Sequence, residues 1–263
     1  MLSAAAGLPP TQAALLGGTL AALMTTLGAL PALFIAKLGA RTNDALLGFG
    51  AGVMLAASAF SLVLPGIEAA EAQGWAPFPA GGLVGVALLA GAALLLWMER
   101  SIPHEHFIKG AEGRSGQNLK RTWLFVFAIA LHNVPEGLAI GVAFANNFGQ
   151  GAALATGIAV QDIPEGLVVA VALITAGYTR GTAVLVAAMS GVVEPIGALI
   201  GAAVVTALPL LLPVGLGIAA GAMLYVVSHE IIPESHRQGH EHWATSGLMV
   251  GFVLMTLLDT ALG

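Results

Sequence analysis

The sequence contains no cysteine. That excludes disulfides, thiolate metal sites and cysteine nucleophiles in one step. Charge is nearly as scarce: 9% of the 263 residues are Asp, Glu, Lys or Arg, against about 25% in an ordinary soluble domain. A water-soluble globule of this length needs far more polar surface to cover its core, so that class is excluded. Basic residues are the scarcer kind, nine against fourteen acidic ones, for a net charge of −5. Nothing there favours nucleic acid as a partner. What the chain has in abundance is apolar residues, 57% of the total, at a mean hydropathy of +0.90. The apolar runs are long and uninterrupted, which points to an all-α polytopic membrane protein; barrel strands are short and alternate.

Eight apolar windows of about 20 residues fall at approximately 12–36, 45–67, 79–98, 122–145, 150–177, 181–208, 213–231 and 243–262. They read as one transmembrane domain over residues 1–263. The first eleven residues hold no Lys or Arg, so the first window reads as a retained span rather than a signal peptide. Lys37 and Arg41 lie in the first loop, and Arg100, Lys109, Arg114, Lys120 and Arg121 in or beside the third. Arg180 lies in the fifth and Arg237 in the seventh. Every basic residue therefore sits in an odd-numbered loop, which the positive-inside rule makes cytoplasmic. Both termini are expected outside a cell (inner) membrane. The third loop, about 101–120, is the only long one. Gly-xxx-Gly pairs such as Gly48/Gly52, Gly81/Gly85 and Gly197/Gly201 suit close helix packing in the lipid bilayer, and small-residue faces of this kind suit a homodimer.

The informative residues are the polar ones inside the windows. The fourth holds His132-Asn133-Val134-Pro135-Glu136-Gly137, the fifth Gln161-Asp162-Ile163-Pro164-Glu165-Gly166, and the sixth Glu194-Pro195. Each lies near the centre of its window, hence near the bilayer midplane. An ionised carboxylate there costs about 2.5–3.5 kcal/mol on insertion scales. Glu136, Asp162, Glu165 and Glu194 together would cost roughly 10 kcal/mol or more if unpaired. No span contains Lys or Arg to neutralise them. Protons or metal cations must do it.

The two hexapeptides form a repeat 29 residues apart. At about 100° per residue, with His132 at 0°, Asn133 points to about 100° and Glu136 to about 40°, between the two and one turn along. Glu165 stands in the same relation to Gln161 and Asp162. Two such helices face to face offer one cluster of His132, Gln161, Glu136 and Glu165. A second comprises Asn133, Asp162, Glu136 and Glu165, with Glu194 from the sixth span. Shared glutamates can bridge two cations, and four carboxylates with two divalent ions are electrically neutral. Each intrahelical proline also frees a carbonyl, so the fourth and fifth spans are expected to be kinked or broken at midplane, as in many secondary transporters. A surface turn at Pro-Glu-Gly would split each window into pieces too short to span. A proton relay without metal remains the alternative use of the same acids.

The paired HNVPEG and QDIPEG segments, eight spans and a long third loop resemble the ZIP (Zrt-, Irt-like protein) family of divalent-metal transporters, most closely its bacterial members. The resemblance implies a binuclear site. His132, Glu136, Gln161 and Glu165 would hold one ion; Asn133, Asp162 and Glu194, with the glutamates bridging, would hold the other. It implies an inverted repeat of spans one to three and six to eight around a central pair. It further implies an elevator-like shift of spans one, four, five and six against two, three, seven and eight. Many eukaryotic members carry His where Gln161 stands. An amide oxygen is a weaker zinc ligand than imidazole, which makes cadmium easier to accept as a second substrate.

Peripheral candidates flank this centre. Met54, Ser61 and Glu68 fall within about 40° of one another on an ideal helical wheel, a stripe that would guide cations from outside. On the expected exit side stand His229-Glu230 at the end of the seventh span, then His240, Glu241 and His242. His104 and His106 open the third loop. Imidazole and carboxylate suit zinc-like cations. The leading expectation is therefore uptake of zinc, with cadmium or iron as further substrates, and no catalytic cofactor. An intramembrane two-metal hydrolase would need a general base, and every midplane polar residue is already used as a ligand. A metal sensor would bind without flux.

Overall fold

The computed structural model describes residues 7–35, 37–101, 133–237 and 239–262. Helix is the only regular structure among them, as lipid demands: a helix satisfies its backbone N–H and C=O groups internally. Seven helical stretches are long and apolar enough to cross a membrane: Pro10–Leu33, Ala40–Ala72, Pro77–Met98, Phe148–Thr175, Arg180–Ala207, Pro209–His236 and Glu241–Leu262. They correspond in order to expected spans one to three and five to eight. The fourth is described as a helix over 133–146; its earlier part, with His132, and the third loop with His104 and His106 lie outside the described residues.

The helices pack in two groups. The second span lies along the eighth and the third along the seventh, while the first lies against both the fifth and the sixth. Glycine permits the closest of these approaches. A Cβ on Gly52 would stand 1.9 Å from the Leu248 carbonyl oxygen, and one on Gly28 2.0 Å from that of Ile163. The fifth span also touches the second and eighth, so it borders both groups.

Contacts at the helix ends test the alternation of sides. Arg180 Nη1 donates to the Leu33 carbonyl at 2.7 Å, joining the fifth loop to the first. His240 Nδ1 lies 3.2 Å from Asp44 Oδ2, joining the seventh loop to the start of the second span. Gln73 Nε2 donates to the Pro209 carbonyl at 3.3 Å, joining the second loop to the sixth. Odd-numbered loops thus meet odd, and even meet even, as a chain that crosses at every span requires.

The irregularities fall in places the sequence reading did not choose. The fifth helix runs unbroken through Pro164. The sixth span is instead divided at Gly191 and Val192, between helices Arg180–Ser190 and Val193–Ala207. Pro195 has no N–H to give the Gly191 carbonyl, and the Glu194 N–H takes it at 3.1 Å instead. The second and seventh spans each widen into a π-helical segment, Ala57–Val63 and Val227–Ile231, shortly before Pro65 and Pro233. Proline clashes with the carbonyl four residues earlier, here Ser61 and His229, and a wider turn relieves it. The Ser61 carbonyl finds a donor in Gln150 Nε2. Spans two and seven are a pair that the inverted repeat would relate, and they share this distortion.

Candidate metal centre

The glycine of each Pro-Glu-Gly segment seats that segment on a neighbouring helix. A Cβ on Gly137 would come within 2.4 Å of the Glu194 carbonyl oxygen, and one on Gly166 within 2.1 Å of that of Thr25. The fourth helix therefore lies directly on the sixth at Glu194, and the fifth directly on the first at Thr25. The sixth-span break starts a new helix with Glu194 in its first turn, where the positive end of the helix dipole favours a carboxylate.

These approaches gather the midplane residues. Ligand atoms of Glu136, Asp162 and Glu165 all lie within 4.8 Å of one another. Gln161 Nε2 donates to Glu136 Oε1. Asn133 Nδ2 donates to the Ser190 carbonyl at 3.1 Å and to Glu194 Oε1 at 3.2 Å. Asn133, Glu136, Gln161, Asp162 and Glu194 are each no more than 2% exposed; Glu165 is partly exposed.

Four of these groups, Asn133, Glu136, Gln161 and Glu194, are anchored on one side and unmet on the other. Asn133 Oδ1, Glu136 Oε2, Gln161 Oε1, Asp162 Oδ2 and Glu194 Oε2 are buried without a hydrogen-bond partner. A buried acceptor left unmet costs about 1–3 kcal/mol, more for a charged group. Five in one place fit a cation, which hard carboxylate and amide oxygens accept. In both amides the N–H₂ is spent on protein acceptors, so the oxygen is the atom left for the ion.

The peripheral candidates divide differently. Met54 and Ser61 are fully buried and Glu68, nearer the outer end of the same span, is exposed. The π-helical segment between Met54 and Glu68 turns fewer degrees per residue than the ideal α-helix assumed for them. Ser61 Oγ donates to Asp259 Oδ1 of the eighth span at 2.7 Å, a partner the wheel gave no means to find. His229 and Glu230 lie inside the seventh span rather than at its end, which extends to His236; His229 stacks on Tyr225 with centroids 5.1 Å apart. His240 is held by Asp44. Thr25, on the first span, went unmarked in the sequence, yet its Oγ1 lies 3.3 Å from Glu194 Oε1.

Comparison with known proteins settles the family. The model of a family described as ZIP Zinc transporter matches residues 103–259, more than half of the chain and both acid-bearing repeats. The chain belongs to the ZIP family. Its bacterial character shows in the relatives. Zinc transporter ZIPB of Bordetella bronchiseptica is 52% identical over 251 residues, covering 95% of this chain and 81% of that one. Zinc transporter GufA of Myxococcus xanthus is 46% identical over 253 residues, 95% and 99% of the two chains. Zinc transporter ZupT of Chlorobium luteolum is 35% identical over 261 residues, 94% and 96%. This ZIP protein is accordingly a multi-pass membrane transporter and not an enzyme, and the intramembrane hydrolase is set aside.

Proposed function

We propose that this ZIP protein carries zinc, and with it cadmium or iron, into the cytoplasm through a two-ion site at the bilayer midplane. The first ion takes Glu136, Gln161 and Glu165, with His132 expected from the motif. The second takes Asn133, Asp162 and Glu194, and Glu136 and Glu165 bridge. One observation carries the reading: three carboxylates within 4.8 Å of one another, two of them fully buried, deep within apolar spans. Two dications balance the four acids of the cluster, and that balance is what a low-dielectric site favours. The relatives' zinc names support the choice of metal.

Alternating access by an elevator fits the way the helices are grouped. Spans one, four, five and six hold every proposed ligand. Spans two, three, seven and eight pack among themselves and would form the stationary part. The test is zinc flux in liposomes containing the purified protein, beside Glu136→Ala and Glu165→Ala. Flux in the parent and loss of both ions in either variant are expected, because each glutamate is shared. Binding without flux would instead identify a sensor. Full two-ion stoichiometry in either variant would refute the bridge.

A further inference from the structure

Thr25 is fully buried on the first span, 2% exposed, and none of the proposed ligands comes from that span. Its hydroxyl has one proton and two acceptors at the same distance: the Ala21 carbonyl at 3.3 Å and Glu194 Oε1 at 3.3 Å. The first acceptor is the ordinary habit of a mid-helix threonine. The second is not; it reaches across 169 residues of chain to a ligand of the proposed second ion.

The surroundings fix this contact. A Cβ on Gly166, the residue after Glu165, would stand 2.1 Å from the Thr25 carbonyl oxygen. A Cβ on Gly191, in the sixth-span break, would stand 3.2 Å from Thr25 Cβ and Oγ1. Thr25 is thus pressed between the two ligand-bearing helices at their glycines. Glu194 Oε1 receives two donors, Thr25 Oγ1 and Asn133 Nδ2, while Oε2 receives none. Asn133 Nδ2 has two protons, one for Glu194 and one for the Ser190 carbonyl at 3.1 Å, so it ties Oε1 to the sixth-span break. With both donors on Oε1, the carboxylate cannot turn freely, and Oε2 is the oxygen presented to the ion. Such outer hydrogen bonds orient metal ligands and shift affinity by about 10- to 100-fold when lost.

We infer that Thr25 is a positioning residue for the second ion, its hydroxyl holding Glu194 Oε1 so that Oε2 coordinates. The inference rests on the two-ion reading of the site. The test loads the purified protein with zinc to obtain stoichiometry and stepwise affinity. Cobalt(II) then replaces zinc, so that its visible absorption reports coordination geometry. Thr25→Val removes the hydroxyl at nearly constant shape; Thr25→Ser keeps the hydroxyl and removes the methyl. Thr25→Val is expected to weaken the second equivalent about tenfold or more, leave the first unchanged, and alter the cobalt spectrum of the second equivalent only. Thr25→Ser is expected to restore both. If the parent binds two ions and Thr25→Val binds both as tightly, with the same spectrum, the inference alone is overturned. The same holds if Thr25→Ser is as impaired as Thr25→Val, since a packing role would then explain the loss. A parent that binds one ion overturns the two-ion reading and this inference with it.

Discussion

At the scale of the residue, the centre depends on carboxylates set inside apolar helices, where an ionised group is costly. Glu194 shows the consequence most simply. It is fully buried and donated to by Asn133 and Thr25, whereas the bond recorded for Gln161 goes to Glu136. Glu194→Ala is therefore expected to cost the second zinc and spare the first, lowering the bound stoichiometry from two to one in metal analysis of the purified protein. Protons compete for the same oxygens. A metal site of carboxylates and neutral imidazole loses affinity as its ligands protonate, so zinc uptake is expected to fall as external pH drops well below neutrality. A rate that stays flat from neutral to strongly acidic pH would argue against carboxylate ligands facing the outside solution. The acids themselves were legible in the sequence, because charge inside an apolar window is conspicuous. Thr25 was not: a threonine in a membrane helix usually satisfies its hydroxyl on its own backbone, and only the fold reveals Glu194 beside it.

At the scale of the helix, glycine decides which pairs lie close enough for those residues to meet. Gly137 and Gly166 close the two Pro-Glu-Gly segments, and a methyl at either position would collide with backbone, at 2.4 and 2.1 Å. Backbone cannot rotate away as a side chain can. Gly137→Ala and Gly166→Ala are each expected to destabilise the protein by about 1–3 kcal/mol, the usual range for overpacking, and to weaken zinc binding by moving the sixth or first span away. Gly81→Ala is the control, because nothing lies within 4 Å of its Cβ position. It should leave zinc affinity intact and keep or slightly raise the unfolding temperature, since alanine is the better helix former. Thermal unfolding and zinc titration of the three variants separate the cases. The span positions were readable from hydropathy alone to within a few residues for most helices. Helical angle was readable only where the helix stayed regular. The arithmetic that set Glu136 and Glu165 facing one partner pair works inside an α-helix. It does not carry over unchanged to Met54, Ser61 and Glu68, where the wider π-helical turn stands before Pro65.

At the scale of the whole molecule, the orientation expected from the charge pattern is consistent with which loops meet. The nine basic residues fall in odd-numbered loops, and Arg180 and His240 tie the fifth and seventh loops to the two ends of the first. The Gln73–Pro209 contact ties the even loops together on the opposite side. The positive-inside rule would place the basic side in the cytoplasm, the orientation that the proposed uptake requires. The lack of cysteine makes this directly testable, because a single introduced thiol is the only one to label. Glu71 is exposed beside the second loop, and Gly181 is exposed beside the fifth with no atom within 4 Å of its Cβ position. With a membrane-impermeant maleimide on intact cells, Glu71→Cys is expected to react at once and Gly181→Cys only after the membrane is opened. The reverse pattern would turn the molecule over and make the same centre an exporter. Equal labelling of both would mean that the two loops share a side, contrary to the odd–odd and even–even contacts.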